Sequence, residues 1–145
     1  MCKLEIELVP KTSWCSNVRT KVPRSKWDKI RKKCYEEADH MCEICGGVGK
    51  KHPVECHEIW LYDDENHKQK LIGLIALCPK CHQVKHTGLS FIKGLQDQVY
   101  AQLMKVNKIS GYDAEQMVIK AFREYHQRSE HKWDVDISFI DGYIQ

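Results

Sequence analysis

The chain has 145 residues, a mass of 17.0 kDa and a formal net charge of +3, and its length predicts a single domain over residues 1–145. Hydrophobic residues make up 42% and charged residues 30% of the sequence, which excludes an intrinsically disordered chain and a collagen-like repeat. No apolar run approaches the roughly 20 residues that span a bilayer, and Lys3 and Glu5 interrupt any apolar core of a signal peptide. We therefore expect a cytoplasmic protein with no membrane partner.

Two elements are predicted before residue 40. Apolar and charged residues alternate over residues 3–9, which is typical of a half-buried strand. Over residues 25–39 apolar residues recur at helical spacing, and Ser25 with Asp28 forms a candidate capping box at the start of this helix. The sequence therefore predicts an N-terminal strand followed by an amphipathic helix.

The central part of the chain, residues 40–88, holds most of the chemically informative side chains. Residues 52–60 have extended character. Pro79 suits the first turn of a helix and Gly88 follows the end of one, so a short helix is predicted over residues 79–87.

The C-terminal part is predicted to be mostly helical. Apolar residues from Ile92 to Val106 suit one amphipathic helix, and those from Met117 to Tyr125 suit a second. A last alternation over residues 133–139 predicts a strand, which we expect to pair with the N-terminal strand. Together these elements predict an α+β fold.

Eight cysteines in a protein expected in a reducing compartment favour a metal site over a disulfide framework. Four of them form two CxxC pairs, Cys42 with Cys45 and Cys78 with Cys81. Four thiolates with this spacing can close a tetrahedral shell around Zn²⁺ at about 2.3 Å per bond. A site of this kind is structural, because it leaves no open position at which water could be activated.

Two histidines directly after the second CxxC pair predict a separate cation site. His82 and His86 are four residues apart on the predicted short helix, so their side chains share one face. Two imidazoles in this arrangement can bind one cation. Chemistry beyond zinc binding is therefore expected here.

These residues together resemble an HNH endonuclease of the ββα-metal superfamily in its zinc-knuckle form. The resemblance covers about residues 40–88, where the first CxxC pair precedes a histidine-bearing strand and the second runs into Cys81-His82 and then His86. It implies a ββα-metal core in which His57 is the general base. It also implies that His82 and His86 bind the catalytic divalent metal, which would be Mg²⁺, Mn²⁺, Ni²⁺ or Zn²⁺.

Two positions depart from the pattern of this family. Cys56 stands where the family usually has an Asp or His metal ligand, and a thiolate suits Zn²⁺ better than Mg²⁺. The family's Asn falls on Gly73. For Cys56 the alternatives left open are an unusual catalytic ion, a carboxylate ligand from Glu55 or Glu58 instead, or an impaired site. For the Asn, one of two loop residues, Asn66 and His67, could substitute.

A basic segment offers candidate phosphate contacts. Residues 11–33 hold nine Lys or Arg residues against the single acid Asp28, a local charge of +8. Such a segment is either a solvated helix face or a surface that contacts the phosphates of DNA. The candidate nucleic-acid-binding residues are Arg19, Lys21, Lys29, Lys33, Lys50 and Lys51.

The sequence thus favours a metal-dependent DNA endonuclease that carries one structural zinc. Cleavage of both strands would require two sites, as a homodimer provides. The main alternative is a catalytically inactive, zinc-stabilised nucleic-acid-binding module, because of Cys56 and Gly73. A thiol redox protein is disfavoured, because no thioredoxin-like order of strand and helix surrounds the CxxC pairs.

Overall fold

The computed structural model describes residues 3–144, and over this range it shows the predicted α+β fold. The described residues form seven α-helices, one short 3₁₀ turn at Lys11–Ser13 and one three-stranded sheet. The elements are α1 (Val18–Lys21), α2 (Arg24–Glu37), β1 (Glu55–Asp63), β2 (Lys68–Leu77), α3 (Pro79–Lys85), α4 (Thr87–Ile92), α5 (Gln96–Asn107), α6 (Gly111–Arg128), β3 (Asp134–Asp136) and α7 (Phe139–Tyr143).

An antiparallel hairpin followed at once by a helix forms the centre of the molecule. β1 and β2 pair from Glu55 opposite Leu77 to Asp63 opposite Lys68, and the turn between them is closed by backbone N–H groups that donate to the Asp63 carboxylate. α3 begins two residues after β2, with Pro79 in its first turn, where the missing N–H costs nothing. The start of β1, the end of β2 and the start of α3 therefore meet in one place.

Two apolar clusters hold the remaining helices against this hairpin. The larger one lies where β2 runs into α3, and α5 and α6 close it with Val99, Leu103 and Val118. The smaller one lies further along the hairpin, where α1, α2 and α7 pack against Trp60 and Leu71. The hairpin thus packs on both clusters, and this fixes its position relative to the helices that contribute to them.

The two predicted terminal strands do not pair with each other. Residues 3–9 form no strand, and the backbone N–H and C=O of Leu4 are instead paired with the side-chain amide of Asn107, each at 2.8 Å. Of the predicted strand 133–139 only Asp134–Asp136 forms, and it pairs in parallel with residues 68–70 of β2. The alternation correctly indicated that Leu4 is buried, but not what its backbone binds.

Helix α2 confirms the predicted helix over residues 25–39, although its capping box is wrong. The residue before the helix is Pro23, and no side chain caps the first turn. The Asp28 carboxylate instead accepts a hydrogen bond from Arg31 at 2.9 Å. The Asp28 carboxylate is therefore bound by Arg31, one turn further along the helix, and does not cap the first turn.

The helix predicted from Ile92 to Val106 is wrong at its start. Gly94 adopts a φ of +74°, a backbone conformation that suits glycine and breaks the chain into α4 and α5. Ile92 consequently leaves the core and is 84% exposed. Helices α3 and α6 form where helices were predicted, with α3 ending two residues early at Lys85. No helix within residues 3–144 combines the length and apolar character needed to cross a membrane.

Glu58 is a carboxyl group enclosed between β1 and α1. Its Oε2 accepts a hydrogen bond from the backbone N–H of Val18 at 3.2 Å, which stabilises the entry into α1. Burial nevertheless raises the pKa of Glu58 to about 7. The folded protein therefore keeps this proton at a pH at which the unfolded chain has released it.

We expect Glu58→Gln to change how stability depends on pH. The unfolded carboxyl ionises near pH 4.5 and the folded one near pH 7, so the free energy of unfolding falls as the pH rises between these values. The amide oxygen can still accept from Val18 but does not ionise. Relative to the variant, the wild type should lose on the order of 1–3 kcal/mol over this range, measured by urea denaturation. Glu65→Gln, in the exposed hairpin turn, is the control, and equal pH slopes in wild type and Glu58→Gln would contradict the assignment.

Candidate metal centres

The four cysteines predicted to bind zinc are brought together. The four sulfurs all lie within 4.8 Å of one another and belong to Cys42, Cys45, Cys78 and Cys81. The sulfurs of Cys45 and Cys78 are 3.5 Å apart. Tetrahedral Zn²⁺ with bonds of about 2.3 Å requires sulfurs about 3.8 Å apart. This group can therefore hold a metal ion such as zinc with little movement.

The first CxxC pair folds as a tight turn whose backbone surrounds the sulfurs. The N–H of Gly46 donates to the carbonyl of Cys42, and the N–H of Cys42 donates to the carbonyl of Gly47, both at 2.9 Å. The N–H of Gly47 points at the sulfur of Cys45, 3.3 Å away. Gly46 has a φ of +76°, which explains why glycine follows this pair.

Two contacts bring this turn to the second CxxC pair. Glu43 is joined twice to Ala76 near the end of β2, since its N–H donates to the Ala76 carbonyl and its carboxylate accepts from the Ala76 N–H. The loop after the turn then passes over α3 at Gly49. A Cβ on Gly49 would lie 2.2 Å from the carbonyl oxygen of His52 and 2.8 Å from the ring of Pro79, so only glycine fits.

A residue that the sequence analysis missed contacts this group. Gln102 on α5 is buried, and its Nε2 donates to the sulfur of Cys81 at 3.3 Å. Hydrogen bonds of this kind orient a metal ligand and stabilise its negative charge. The sequence does contain a signal for Gln102, which is a polar residue on the apolar stripe of α5, one turn after Val99 and beside Leu103.

The protonation of the sulfurs is suited to cation binding. A hydrogen bond from the Cys81 thiol, aided by the backbone N–H of Cys45 and opposed by burial, lowers the pKa of Cys42 to about 4. The same bond and burial raise the pKa of Cys81. These effects favour the thiolate form of Cys42, and a bound cation would displace the protons of the other sulfurs.

A second group contains the three histidines singled out by the sequence. A ring nitrogen from each of His57, His82 and His86 lies within 4.8 Å of the other two, and the Nε2 atoms of His82 and His86 are 3.0 Å apart. The ring of His57 lies 5.4 Å from that of His82 and 5.3 Å from that of His86, between centroids. His57 comes from β1 and the other two come from α3 and its C-terminal cap. The antiparallel register and the i, i+4 spacing together create this group.

Glu55 orients one of these histidines. Side chains alternate along a strand, so Glu55 and His57 project from the same face of β1. The Glu55 carboxylate contacts Nδ1 of His82. With its proton on Nδ1, His82 directs the lone pair of Nε2 towards the other two histidines, as metal-binding histidines do.

The third histidine faces an ion pair between a half-buried carboxylate and a buried ammonium. His57 is 6% exposed, and its Nε2 lies 3.9 Å from one oxygen of Glu7, which is too far for a direct hydrogen bond. The other oxygen of Glu7 lies 3.3 Å from the ammonium of Lys85, also buried. Burial raises the pKa of Glu7, but His57 and Lys85 outweigh burial and bring it below its usual value. A charged carboxylate thus stands beside His57.

Both burial and mutual repulsion keep two of the histidines neutral. Burial lowers the pKa of His57, against the opposing effect of Glu7. Burial also lowers the pKa of His86 to about 3, with the charges of His82 and His57 adding to the effect. Neutral imidazoles are the form that binds a cation or accepts a proton.

Cys56, predicted as a further ligand, lies outside this group. It is next to His57 in the strand and therefore projects from the opposite face, where its thiol contacts that of Cys34 on α2. That contact and burial raise the pKa of Cys56, so the thiol stays protonated. Cys34 is buried in the core.

The carboxylate and loop alternatives do not complete the group either. Glu58 binds the N–H of Val18, as described above. Gly73 lies within β2 opposite Ile59. Asn66 is in the hairpin turn with Asp63, and the ring of His67 is stacked on that of His131. The turn is at the far end of the hairpin from His57, so neither loop residue reaches the three histidines.

The histidine group opens into a cleft of about 780 Å³ between the N-terminal segment, β1, α3 and α4. Of the predicted phosphate contacts, Arg19 lines this cleft, while Lys21, Lys29, Lys50 and Lys51 are exposed elsewhere. Lys33 is engaged by the C-terminal segment, where its ammonium binds the carbonyl of Tyr143 and lies over the ring of the same residue.

A scan of protein-family models and searches of curated proteins and of solved structures found no match to this chain. The function of this chain is therefore inferred from the geometry of the two groups.

We expect Cys42→Ser to remove bound zinc and to destabilise the fold. Loss of one thiolate opens the four-sulfur group, so zinc affinity should fall by more than the roughly 10–100-fold that follows loss of a ligand's hydrogen-bond partner. Metal analysis after dialysis and thermal melting would measure both effects. Cys15→Ser is the matched control, because Cys15 is exposed and outside the group. If the two variants kept equal zinc and equal melting temperature, the assignment would be wrong.

Proposed function

We propose that this protein is a metal-dependent endonuclease of the HNH type that hydrolyses phosphodiester bonds in DNA. The observation that carries the proposal is the group of His57, His82 and His86, assembled by a hairpin and a helix directly beside a four-cysteine group. A histidine base next to a cation site, at the end of a cleft, is the set of parts that phosphodiester hydrolysis needs.

In this proposal His57 takes the proton from the attacking water. Burial lowers the pKa of His57, so the neutral, proton-accepting imidazole predominates at neutral pH. Once protonated, the ring would carry a positive charge 3.9 Å from the Glu7 carboxylate, which would stabilise it. The ion pair with Lys85 keeps that carboxylate in place.

His82 and His86 are the proposed ligands of the catalytic cation. A divalent cation there would neutralise charge on the phosphate and on the leaving oxygen. Imidazole nitrogens suit Zn²⁺ or Ni²⁺ better than Mg²⁺, which prefers oxygen ligands. With Cys56 outside the group, the histidines favour Ni²⁺ or Zn²⁺ as the ion that supports activity.

The exposed basic residues would hold the DNA. Arg19 is in the wall of the cleft, and Lys21 lies two residues further along α1. Contacts between such side chains and phosphates carry no sequence information. The proposed enzyme therefore binds DNA with a strong salt dependence and little sequence preference.

A catalytically inactive, zinc-stabilised DNA-binding module is the second candidate. It is favoured by a candidate ligand set that consists of three imidazoles within residues 3–144, because the nearby carboxylates of Glu55 and Glu7 contact His82 and Lys85 instead. Such a module would bind DNA through the same basic residues and would not cleave it with any metal.

We expect His57→Ala to lower DNA cleavage by at least about 100-fold, the usual contribution of a general base. Zinc-loaded protein would be incubated with supercoiled plasmid and with circular single-stranded DNA, adding Mg²⁺, Mn²⁺, Ni²⁺ or Zn²⁺ in turn. His126→Ala, on the exposed face of α6, is the matched control and should cleave like the wild type. Nicking alone indicates one site per complex, whereas direct linearisation indicates a homodimer.

Calorimetric titration with Ni²⁺ separates the roles of the histidines. If His57 is the base, His57→Ala still binds the second ion whereas His82→Ala does not. Loss of the ion in both variants would show that His57 is a ligand instead. A folded, zinc-loaded wild type that cleaves neither DNA with any of the four ions would support the inactive module.

A further inference from the structure

Three of the most exposed large apolar side chains line the cleft that contains the histidine group. Trp14 is 55% exposed, Leu89 is 54% exposed and Ile92 is 84% exposed. Single exposed apolar residues are ordinary, but a cluster of them in a concave surface marks a binding site. Neither the histidines nor the basic residues use this apolar wall.

Trp14 is held as a rigid platform. Its Nε1 donates to the carbonyl of Val9 at 2.9 Å, which fixes the orientation of the indole. The ring stacks on that of Tyr125 on α6, with centroids 6.3 Å apart and an angle of 21° between the planes. Val9 is two residues from Glu7, so the same N-terminal segment carries this platform and the carboxylate that faces His57.

We propose that the apolar wall binds unpaired nucleobases of single-stranded DNA, with one base stacked on Trp14. The proposal rests on the proposed nuclease function, whose substrate it narrows to strands with unpaired nucleotides beside the scissile phosphate.

The stacking geometry selects unpaired bases. In a duplex both faces of each base are covered by the neighbouring bases, so an aromatic side chain cannot stack on them without unstacking the helix. A single strand exposes these faces, and proteins that bind it combine aromatic platforms with basic residues. Trp14 and Arg19 line one cleft and supply both parts.

The mixture of side chains in the cleft also favours a nucleotide over a polypeptide. A nucleotide offers a flat apolar face to Trp14 and a phosphate to Arg19 and the histidine group. A peptide matches Arg19 only where it happens to carry a carboxylate, whereas every nucleotide in a strand carries a phosphate beside its base. The cleft volume of about 780 Å³ falls within the range of sites for small, compact ligands and is far too small to enclose a duplex.

The test measures binding without cleavage. Zinc-loaded protein, with no further divalent metal added, would be titrated into a fluorescein-labelled oligothymidylate and a labelled duplex with the same number of phosphates. The variants are Trp14→Ala, Trp14→Phe and Ile92→Ala. Tyr112→Ala is the matched control, because Tyr112 is an exposed aromatic residue outside the cleft.

We expect Trp14→Ala to weaken binding of the single strand by about 5- to 150-fold, the range for loss of one base-stacking contact, and to leave duplex binding unchanged. The affinity of Trp14→Phe for the single strand should stay within about three-fold of the wild-type affinity, because phenylalanine keeps an aromatic ring although it lacks the N–H. Ile92→Ala should weaken binding of the single strand less than Trp14→Ala does. If Trp14→Ala melts at a lower temperature than the wild type, Ile92→Ala tests the same apolar wall independently of that loss of stability.

The proposal would be overturned if Trp14→Ala and Ile92→Ala both bound the single strand as tightly as the wild type does. The apolar wall would then be assigned to a protein partner. Equal losses for strand and duplex would also overturn it. The nuclease proposal is judged separately by the plasmid and circle assays. Cleavage that is indifferent to Trp14 refutes only the base-stacking site, and selective strand binding without cleavage refutes only the nuclease.

Discussion

The meeting of four thiols at the junction of β2 and α3 is the constraint on which the rest of the structure depends. Cys42 and Cys45 come from the turn before the hairpin, and Cys78 and Cys81 come from its end, so closing the group joins both ends of the hairpin to α3. A chain of this size has a modest apolar core, and cation binding at such a group adds directly to the free energy of folding. Through Gln102, the constraint extends to the C-terminal helices.

The histidine group depends on this junction. His82 is the next residue after Cys81, so the segment that carries two of the four cysteines also positions the first histidine of α3. His57 is placed by the register of the hairpin, and Glu7 is brought beside it by an ion pair with Lys85 of α3. Three separate stretches of chain therefore converge on the site, and α3 contacts all of them.

The cleft combines polar and apolar side chains. Its lining includes neutral imidazoles, a carboxylate and a guanidinium together with exposed apolar and aromatic side chains. Burying apolar side chains is normally favourable, so their exposure here has a cost that ligand binding can recover. The break at Gly94 contributes, because it removes Ile92 from the core face that it would occupy in a continuous helix.

Features that depend only on neighbouring residues in the chain could be predicted from the sequence. Residue spacing alone predicts the CxxC turns, the helix starting at Pro79, the shared face of His82 and His86, and the helical stripes, because local covalent geometry sets each of them. Other features became visible in the folded chain alone: β3 pairs with β2, Asn107 satisfies the backbone of Leu4, Cys56 turns towards Cys34, and Glu7 and Gln102 reach the two groups. The physical reason is that a buried polar group takes whichever partner the packed fold places within reach, and that partner can be a hundred residues away.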